Sequence, residues 1–142
     1  MKTFKLKVIT PNAIVLDTNV EQIIARSIDG EIGILPDHTP LITPLSIAPF
    51  QYWEAGDRKV AAVLGGMMEV SKEGVTIISD HAALAENIDT VVADKEKELA
   101  EAKLAQKKDK IDIQKAEMEL TRLLVMLEAV ELAKRLKSTR VG

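Results

Sequence analysis

The sequence predicts an N-terminal antiparallel β-sandwich followed by a C-terminal antiparallel two-helix hairpin, with the boundary between residues 1–86 and residues 87–142. All five prolines and all four aromatic residues lie before residue 54, and no glycine or proline occurs between Gly74 and Gly142. Hydrophobic residues alternate with polar ones in the first part, whereas in the second they recur at spacings of three and four. The chain therefore joins a strand-rich part to a helical part.

The first 80 residues are predicted to form eight short strands. Turn residues at Pro11-Asn12, Asp29-Gly30, Gly56-Asp57 and Glu73-Gly74 separate the hydrophobic segments at the spacing of a sandwich. Alternation in the first segment places Phe4, Leu6 and Val8 on one face, which is typical of a half-buried antiparallel sheet. The predicted strands are residues 3–10, 14–17, 21–27, 31–35, 46–54, 59–64, 67–71 and 74–79.

Two helices are predicted after residue 88. Asp89 or Thr90 can cap the first, which runs to about residue 107, and Asp112 can cap the second after a polar turn at residues 107–110. The first helix would bury Leu99, Ala102 and Ala105. The second would use a seam of Ile113, Ala116, Leu120, Leu123, Leu127 and Val130. Because alanines bury little surface, we expect the hairpin to be marginal alone and to be a candidate two-state element.

Composition disfavours several functions. The formal net charge is −3, so the chain lacks the positive potential that nucleic-acid binding needs. It contains no cysteine, which excludes disulfides, thiolate chemistry and cysteine metal ligands. The glycine pairs at 30/33 and 65/66 do not have nucleotide-binding spacings. The histidines of Asp37-His38 and Asp80-His81 are predicted to lie in turns or on the surface. We therefore predict no metal, no cofactor and no independent enzyme activity, and the sequence shows neither a signal peptide nor an apolar membrane span.

Residues 30–43, GEIGILPDHTPLIT, carry a family resemblance. This segment, with residues 65–70, 75–80 and 86–89, resembles the ε subunit of F-type ATP synthases. The resemblance implies a non-catalytic rotor subunit, monomeric within the complex, whose sandwich contacts the γ subunit and the c ring of a proton- or sodium-translocating enzyme. It implies that Glu31 and His38 lie at the end of the sandwich that faces these partners. The membrane would be reached only through the c ring, and we expect the cytoplasmic face of the bacterial plasma membrane. The absence of an arginine-rich leader favours a bacterial or plastid-encoded subunit over an imported mitochondrial one.

The resemblance also implies a regulatory role for the helices. In the family they extend toward the catalytic α and β subunits, where basic residues of the second helix block ATP hydrolysis; here Arg122, Lys134 and Arg135 are the candidates. Some relatives bind ATP through an Ile/Leu-Asp-x-x-Arg-Ala motif. This chain has Ile88, Asp89 and Ala93 of that motif but Val92 in place of its arginine. Valine cannot hold phosphate oxygens as a guanidinium does, so we predict weak or absent ATP binding.

Three alternatives stay open. Asp37 stands where the family usually has glycine, and Ala48-Pro49 replaces a glycine region, so the geometry of both turns is open. The basic residues from Lys134 to Arg140 could merely complement the negative C-terminal end of the second helix. The whole chain could also be a free-standing β-sandwich binding module that dimerises through its helical hairpin. A stable dimer would indicate that module, whereas a rotor subunit would be a monomer that binds γ.

Overall fold

A computed structural model describes residues 2–106 and 109–138 and contains eight strands, a 3₁₀ turn and two helices. The elements are β1 (Phe4–Ile9), β2 (Ile14–Val20), β3 (Gln22–Ser27), β4 (Gly30–Ile34), β5 (Leu41–Glu54), β6 (Asp57–Ser71), β7 (Gly74–Ile78), β8 (Ala82–Leu84), the 3₁₀ turn Ala85–Asn87, α1 (Thr90–Gln106) and α2 (Lys110–Ser138). This architecture confirms the predicted fold class.

The strands form one sheet that closes over its own core. Their order is β2-β1-β7-β6-β5-β3-β4, with β8 paired to the other part of β6. Neighbours are antiparallel except β1 and β7, which are parallel. A single buried cluster contains Val20 of β2 and Ile34 of β4, which come from opposite ends of this order, together with Phe50 and Tyr52 of β5. The sheet must therefore fold into two facing layers around these side chains.

Strands β5 and β6 are longer than predicted. The prediction ended one strand at residue 64 and began another at 67, but β6 is continuous, and β5 begins at Leu41 rather than at residue 46. Pro44, which lies in the first part of β5, caused the second error, whereas Pro49 is within the predicted strand 46–54. Pro44 and Pro49 fall outside the register in which β3 pairs with β5, so their missing N–H groups disrupt no ladder on that side.

Gly65 and Gly66 bend β6 without ending it. Their φ angles are +84° and +113°, and pairing with β5 keeps one register on both sides of them. A Cβ on Gly66 would lie 2.1 Å from the carbonyl oxygen of Ile78, so only glycine fits. At this corner the inward-facing positions change from Ala61 and Val63 to Met68 and Val70. One strand thereby serves both layers, which simple alternation could not predict.

The helix caps were predicted correctly for α1 and incorrectly for α2. The Asp89 carboxylate accepts hydrogen bonds from the N–H groups of Val91 (3.0 Å) and Val92 (3.2 Å). In α2 the cap is Asp109, which accepts from the N–H of Ile111 at 3.0 Å, so Asp112 lies within the first turn instead. Residues 107 and 108 of the predicted polar turn, and Arg140, lie outside the described residues.

The buried face of α1 differs from the prediction, whereas that of α2 agrees with it. Ala93 and Ala100 are buried, but Leu99 is 61% exposed, and Ala102 and Ala105 are exposed as well. Every residue of the predicted α2 seam is buried or half-buried. Alanines occur on several faces of α1, so the spacing of hydrophobic residues could not identify the buried face. The face that is buried carries small side chains, which allow the two helices to approach closely.

Candidate protein-interaction surfaces

Helix α2 is docked on the outer face of the sandwich. A second core joins Val60 and Ala62 of β6, Ala85 of the 3₁₀ turn and Ala129 of α2, with Met126, Leu132 and Leu136 packed around it. Ala129 is completely buried. The four consecutive buried residues from Val60 to Val63 need cover on both faces of the strand, and this run was the sequence signal for docking. Helix α1 packs against α2.

Beyond the corner of β6, an apolar row crosses the outer face of the sheet, next to the polar side chains of Glu69, Thr76 and Lys7. Pairing places five residues side by side across five strands, and we call them the outer apolar row: Ile14, Ile9, Ile78, Met67 and Pro44. Ile14 is 60% exposed, Ile78 58% and Met67 43%. Ile42 and Ile28, both exposed, are further apolar side chains on the sandwich. The row was not predicted from the sequence, because in a strand these residues resemble core positions. The adjacent Ile77 and Ile78 were the available signal. Exposed apolar groups that adjoin in this way mark protein interfaces.

Glu31 and His38 lie near opposite ends of β4, in different clefts. Glu31 pairs in register with Arg26 of β3 and lines a shallow groove whose other wall includes Glu128 and Leu132 of α2. His38 follows the strand in a turn, where its N–H donates to the carbonyl oxygen of Leu35 at 3.2 Å. The imidazole lines a separate cleft of about 850 Å³ at the end of the sandwich. The structure therefore does not bring these two side chains together.

Asp37 adopts the conformation that favours glycine. Its φ is +66°, and the turn from Leu35 to His38 has Pro36 in the second position and Asp37 in the third, as in a type II turn. The exposed carboxylate pairs with Lys2. Asp37 thus has the positive φ that glycine usually supplies at this position of a type II turn.

The three basic candidates of α2 are in different environments. Arg122 is half-buried beside the sandwich, and its Nε has no hydrogen-bond partner among the described residues. Lys134 and Arg135 are exposed, and Lys134 lines a cleft with Tyr52 and Glu86. Burial, followed by the charges of Glu54 and Glu86, raises the pKa of Tyr52 to about 12, so its phenol is neutral at pH 7. Docking therefore restricts Arg122 and leaves Lys134 and Arg135 accessible.

The residues of the partial ATP motif have structural positions. Asp89 caps α1, Ile88 packs against the second core and Ala93 is buried. Val92 is half-exposed and apolar where the motif would have a guanidinium. No charged side chain of this motif other than Asp89 is thus present to hold phosphate.

An ionic network fixes the hairpin that joins β5 and β6. Hydrogen bonds from Lys59 and Thr18 lower the pKa of the Glu54 carboxyl group. The hydrogen bond between Lys59 and Glu54 also raises the pKa of Lys59. The carboxylate of Glu21 accepts from the N–H groups of Ala55 and Gly56 at 3.1 and 2.6 Å. These contacts explain the structure of the turn and create no cluster of ligands. Across residues 2–106 and 109–138, no three metal-ligating side chains converge, and neither α1 nor α2 is apolar enough over a sufficient length to cross a membrane.

Comparisons with known proteins give a consistent result. Residues 3–85 match the protein-family model described as the ATP synthase Delta/Epsilon chain, beta-sandwich domain. An ATP synthase epsilon chain from Caldanaerobacter subterraneus is 45% identical over 128 residues, covering 89% of this chain and 93% of the relative. One from Bacillus velezensis is 38% identical over 128 residues, covering 90% and 97%.

Solved structures also resemble the chain. The cryo-EM structure of the Euglena gracilis mitochondrial ATP synthase, OSCP/F1/c-ring in rotational state 1, contains a chain with a TM-score of 0.74 and 25% identity, covering 90% of this chain and 81% of that one. The central stalk and c-ring structure of the Tetrahymena thermophila enzyme contains one with a TM-score of 0.57 at 12% identity, which supports the fold alone.

Proposed function

Because this chain belongs to the family of ATP synthase epsilon chains, we propose that it is a non-catalytic rotor subunit that couples γ to the c ring of an F-type ATP synthase. Residues 1–86 would dock on these two partners, and residues 87–142 would inhibit ATP hydrolysis. The subunit would be a monomer in the complex, on the cytoplasmic face of a bacterial plasma membrane, and would reach the membrane only through the c ring. The coupling ion, proton or sodium, depends on that ring.

The outer apolar row is the observation that carries the docking proposal. It offers a contiguous apolar surface on rigid strands, and docked α2 lies on the other part of the outer face. Association with γ would bury these side chains, and this burial would provide the main favourable free energy. We therefore assign the row to the γ interface.

Glu31 and His38 are proposed as polar contacts to γ and the c ring. Since they line different clefts, we expect them to meet different loops of these partners. Exposed charges at an interface rim contribute to orientation and association rate more than to affinity. Neither residue needs a catalytic role.

Inhibition is proposed to require release of the hairpin from the sandwich. In the docked form Arg122 is half-buried, so it becomes available to the catalytic α and β subunits only after release. Lys134 and Arg135 would meet an acidic segment of β at the same time. The small alanines of the second core support a contact that can open, because each buries little apolar surface.

Truncation after Asn87 tests the inhibitory role. We expect the reconstituted catalytic complex to hydrolyse ATP faster with residues 1–87 than with the full chain, by about threefold or more, while assembly persists. A steady-state hydrolysis assay measures the rate, and gel filtration checks that the subunit remains bound. Arg135→Glu should reproduce part of the increase, whereas Lys95→Glu, an exposed charge reversal on α1, serves as the matched control.

Equal hydrolysis by both complexes would remove the inhibitory proposal and leave the docking proposal intact. Loss of the truncated subunit from the complex would instead contradict the assignment of docking to residues 1–86.

The alternative of a dimerising binding module loses its proposed surface. The seam from Ile113 to Val130 was to form the dimer, but α1 of the same chain packs against α2, and no residue of the seam is exposed. We therefore retain the rotor subunit as the proposed function.

Nucleotide binding is expected to be weak because Val92 replaces the arginine of the ATP motif. Titration calorimetry of the full chain with magnesium ATP should show no saturable binding below about 1 mM, which corresponds to about −4 kcal/mol. Val92→Arg should tighten binding by about tenfold by adding charge-assisted hydrogen bonds. Val91→Arg places the same group on the neighbouring exposed residue, a variable position of the motif, and should have no effect. Tight binding by the unmodified chain would refute this expectation.

A further inference from the structure

A pocket of about 360 Å³ between the helical hairpin and the sandwich contains charged groups from both sides. The sandwich contributes Asp80 and His81, and the hairpin contributes Glu96, Glu119 and Arg122. Thr10 and Asn12 supply its other polar side chains, and the rest of the wall is apolar. The two sets of charges face each other across the docking contact.

The backbone holds His81 rigidly in this position. Its carbonyl oxygen accepts hydrogen bonds from the N–H of Leu64 at 3.0 Å and from the hydroxyl of Ser79 at 2.9 Å. Ser79 is itself buried, and its N–H donates to the carbonyl oxygen of Ile9 at 3.0 Å. The backbone at His81 is therefore anchored to the sandwich and not to the hairpin.

The charges in the pocket are not neutralised in pairs. None of these five residues takes part in an ion pair with another described residue within 4.0 Å, and the buried Nε of Arg122 has no partner. With neutral histidine, the hairpin side and the sandwich side each carry a net charge of about −1, so they repel. Protonation of His81 brings the sandwich side to about zero and removes this repulsion.

We propose that His81 makes hairpin docking depend on pH, with the docked form favoured as the pH falls. Histidine is the side chain that ordinarily changes charge between pH 5 and 8, whereas ordinary carboxylates stay ionised there. Because docking is favoured by the protonated form, the stabilising contribution is present in acidic conditions and is lost as the pH rises. Release of the hairpin, and with it the proposed inhibition, is thereby favoured in alkaline conditions. This inference rests on the proposed mobility of the helices.

Energy transfer within the full chain tests the inference. The chain contains no cysteine, so Asn19→Cys and Ala105→Cys, two exposed and uncharged sites, accept a donor and an acceptor dye on the sandwich and on α1. Leu132→Ala weakens the apolar contact so that both forms are populated. We expect the ratio of docked to released chains to fall by about threefold between pH 5.5 and 8, which is the size of a partly exposed charge interaction.

The two histidines of the chain provide a matched control. His81→Gln should abolish the pH dependence, whereas His38→Gln, in the cleft at the end of the sandwich, should leave it unchanged. Asp80→Asn should favour docking at every pH and keep the dependence on His81. A ratio that does not change with pH, or one that still changes in His81→Gln, would overturn the inference.

The hydrolysis assay distinguishes this inference from the proposed function. If truncation after Asn87 raises hydrolysis but docking is independent of pH, the role of His81 is refuted and the inhibitory proposal stands. If docking depends on pH but truncation has no effect on hydrolysis, the inhibitory proposal is refuted and the role of His81 stands.

Discussion

Replacement of Ala129 by aspartate is expected to release α2 from the sandwich without unfolding the sandwich. Ala129 is completely buried among Val60, Ala62 and Ala85, so a carboxylate there has neither water nor a partner. An uncompensated buried charge costs about 3–5 kcal/mol. The core between the two sheet layers contains residues of the strands only, so its packing does not depend on the helix. Energy transfer between the dyes at residues 19 and 105 should fall to the level of the released form.

The control for this substitution is Ala102→Asp. Ala102 is exposed on α1, so the same chemical change there leaves the new carboxylate in water, and docking should persist. Near-ultraviolet circular dichroism of Trp53 should be the same in both variants if the sandwich is intact. Persistent docking of the Ala129→Asp chain would mean that the second core does not hold the helix.

Local signals explain which parts of the fold could be predicted. Strand alternation and the change to helical spacing depend on neighbouring residues, and so does the Asp89 cap, whose partners are two and three residues away. The corner at Gly65 and Gly66 depends on how two layers meet. A glycine pair normally indicates a break, and only the close approach of Ile78 explains why these two glycines continue the strand.

For the candidate surfaces too, features set by neighbouring residues could be predicted, whereas features set by tertiary packing could not. Asp37 was identified as a departure from glycine, and its positive φ follows from the turn itself. The environment of Arg122 could not be predicted, since it depends on which face of α2 meets the sandwich. The outer apolar row required the register of five strands, because each of its residues alone resembles a core position.

Replacement of Ile78 by aspartate is expected to weaken binding to γ by about 30-fold or more. Ile78 lies in the middle of the outer apolar row, between Ile9 and Met67, and central apolar residues of an interface commonly contribute about 2 kcal/mol or more. In the free subunit the side chain is largely exposed, so the stability of the fold should change by only about 0.5 kcal/mol. Titration calorimetry with the cognate γ subunit measures the affinity, and thermal unfolding measures the stability.

Val91→Asp is the control that shows whether the loss of binding depends on the outer apolar row or on any exposed hydrophobic side chain. Val91 is similarly exposed but lies on α1, outside the row, so its replacement should leave the affinity for γ unchanged. If both variants bind γ as the unmodified chain does, the γ interface must be elsewhere on the sandwich. If only Ile78→Asp weakens binding, the uncovered part of the sheet is the docking surface, and α2 and γ then occupy the two parts of one outer face on either side of the β6 corner. Release of α2 would in that case leave γ bound, because the two contacts share no residue of β6.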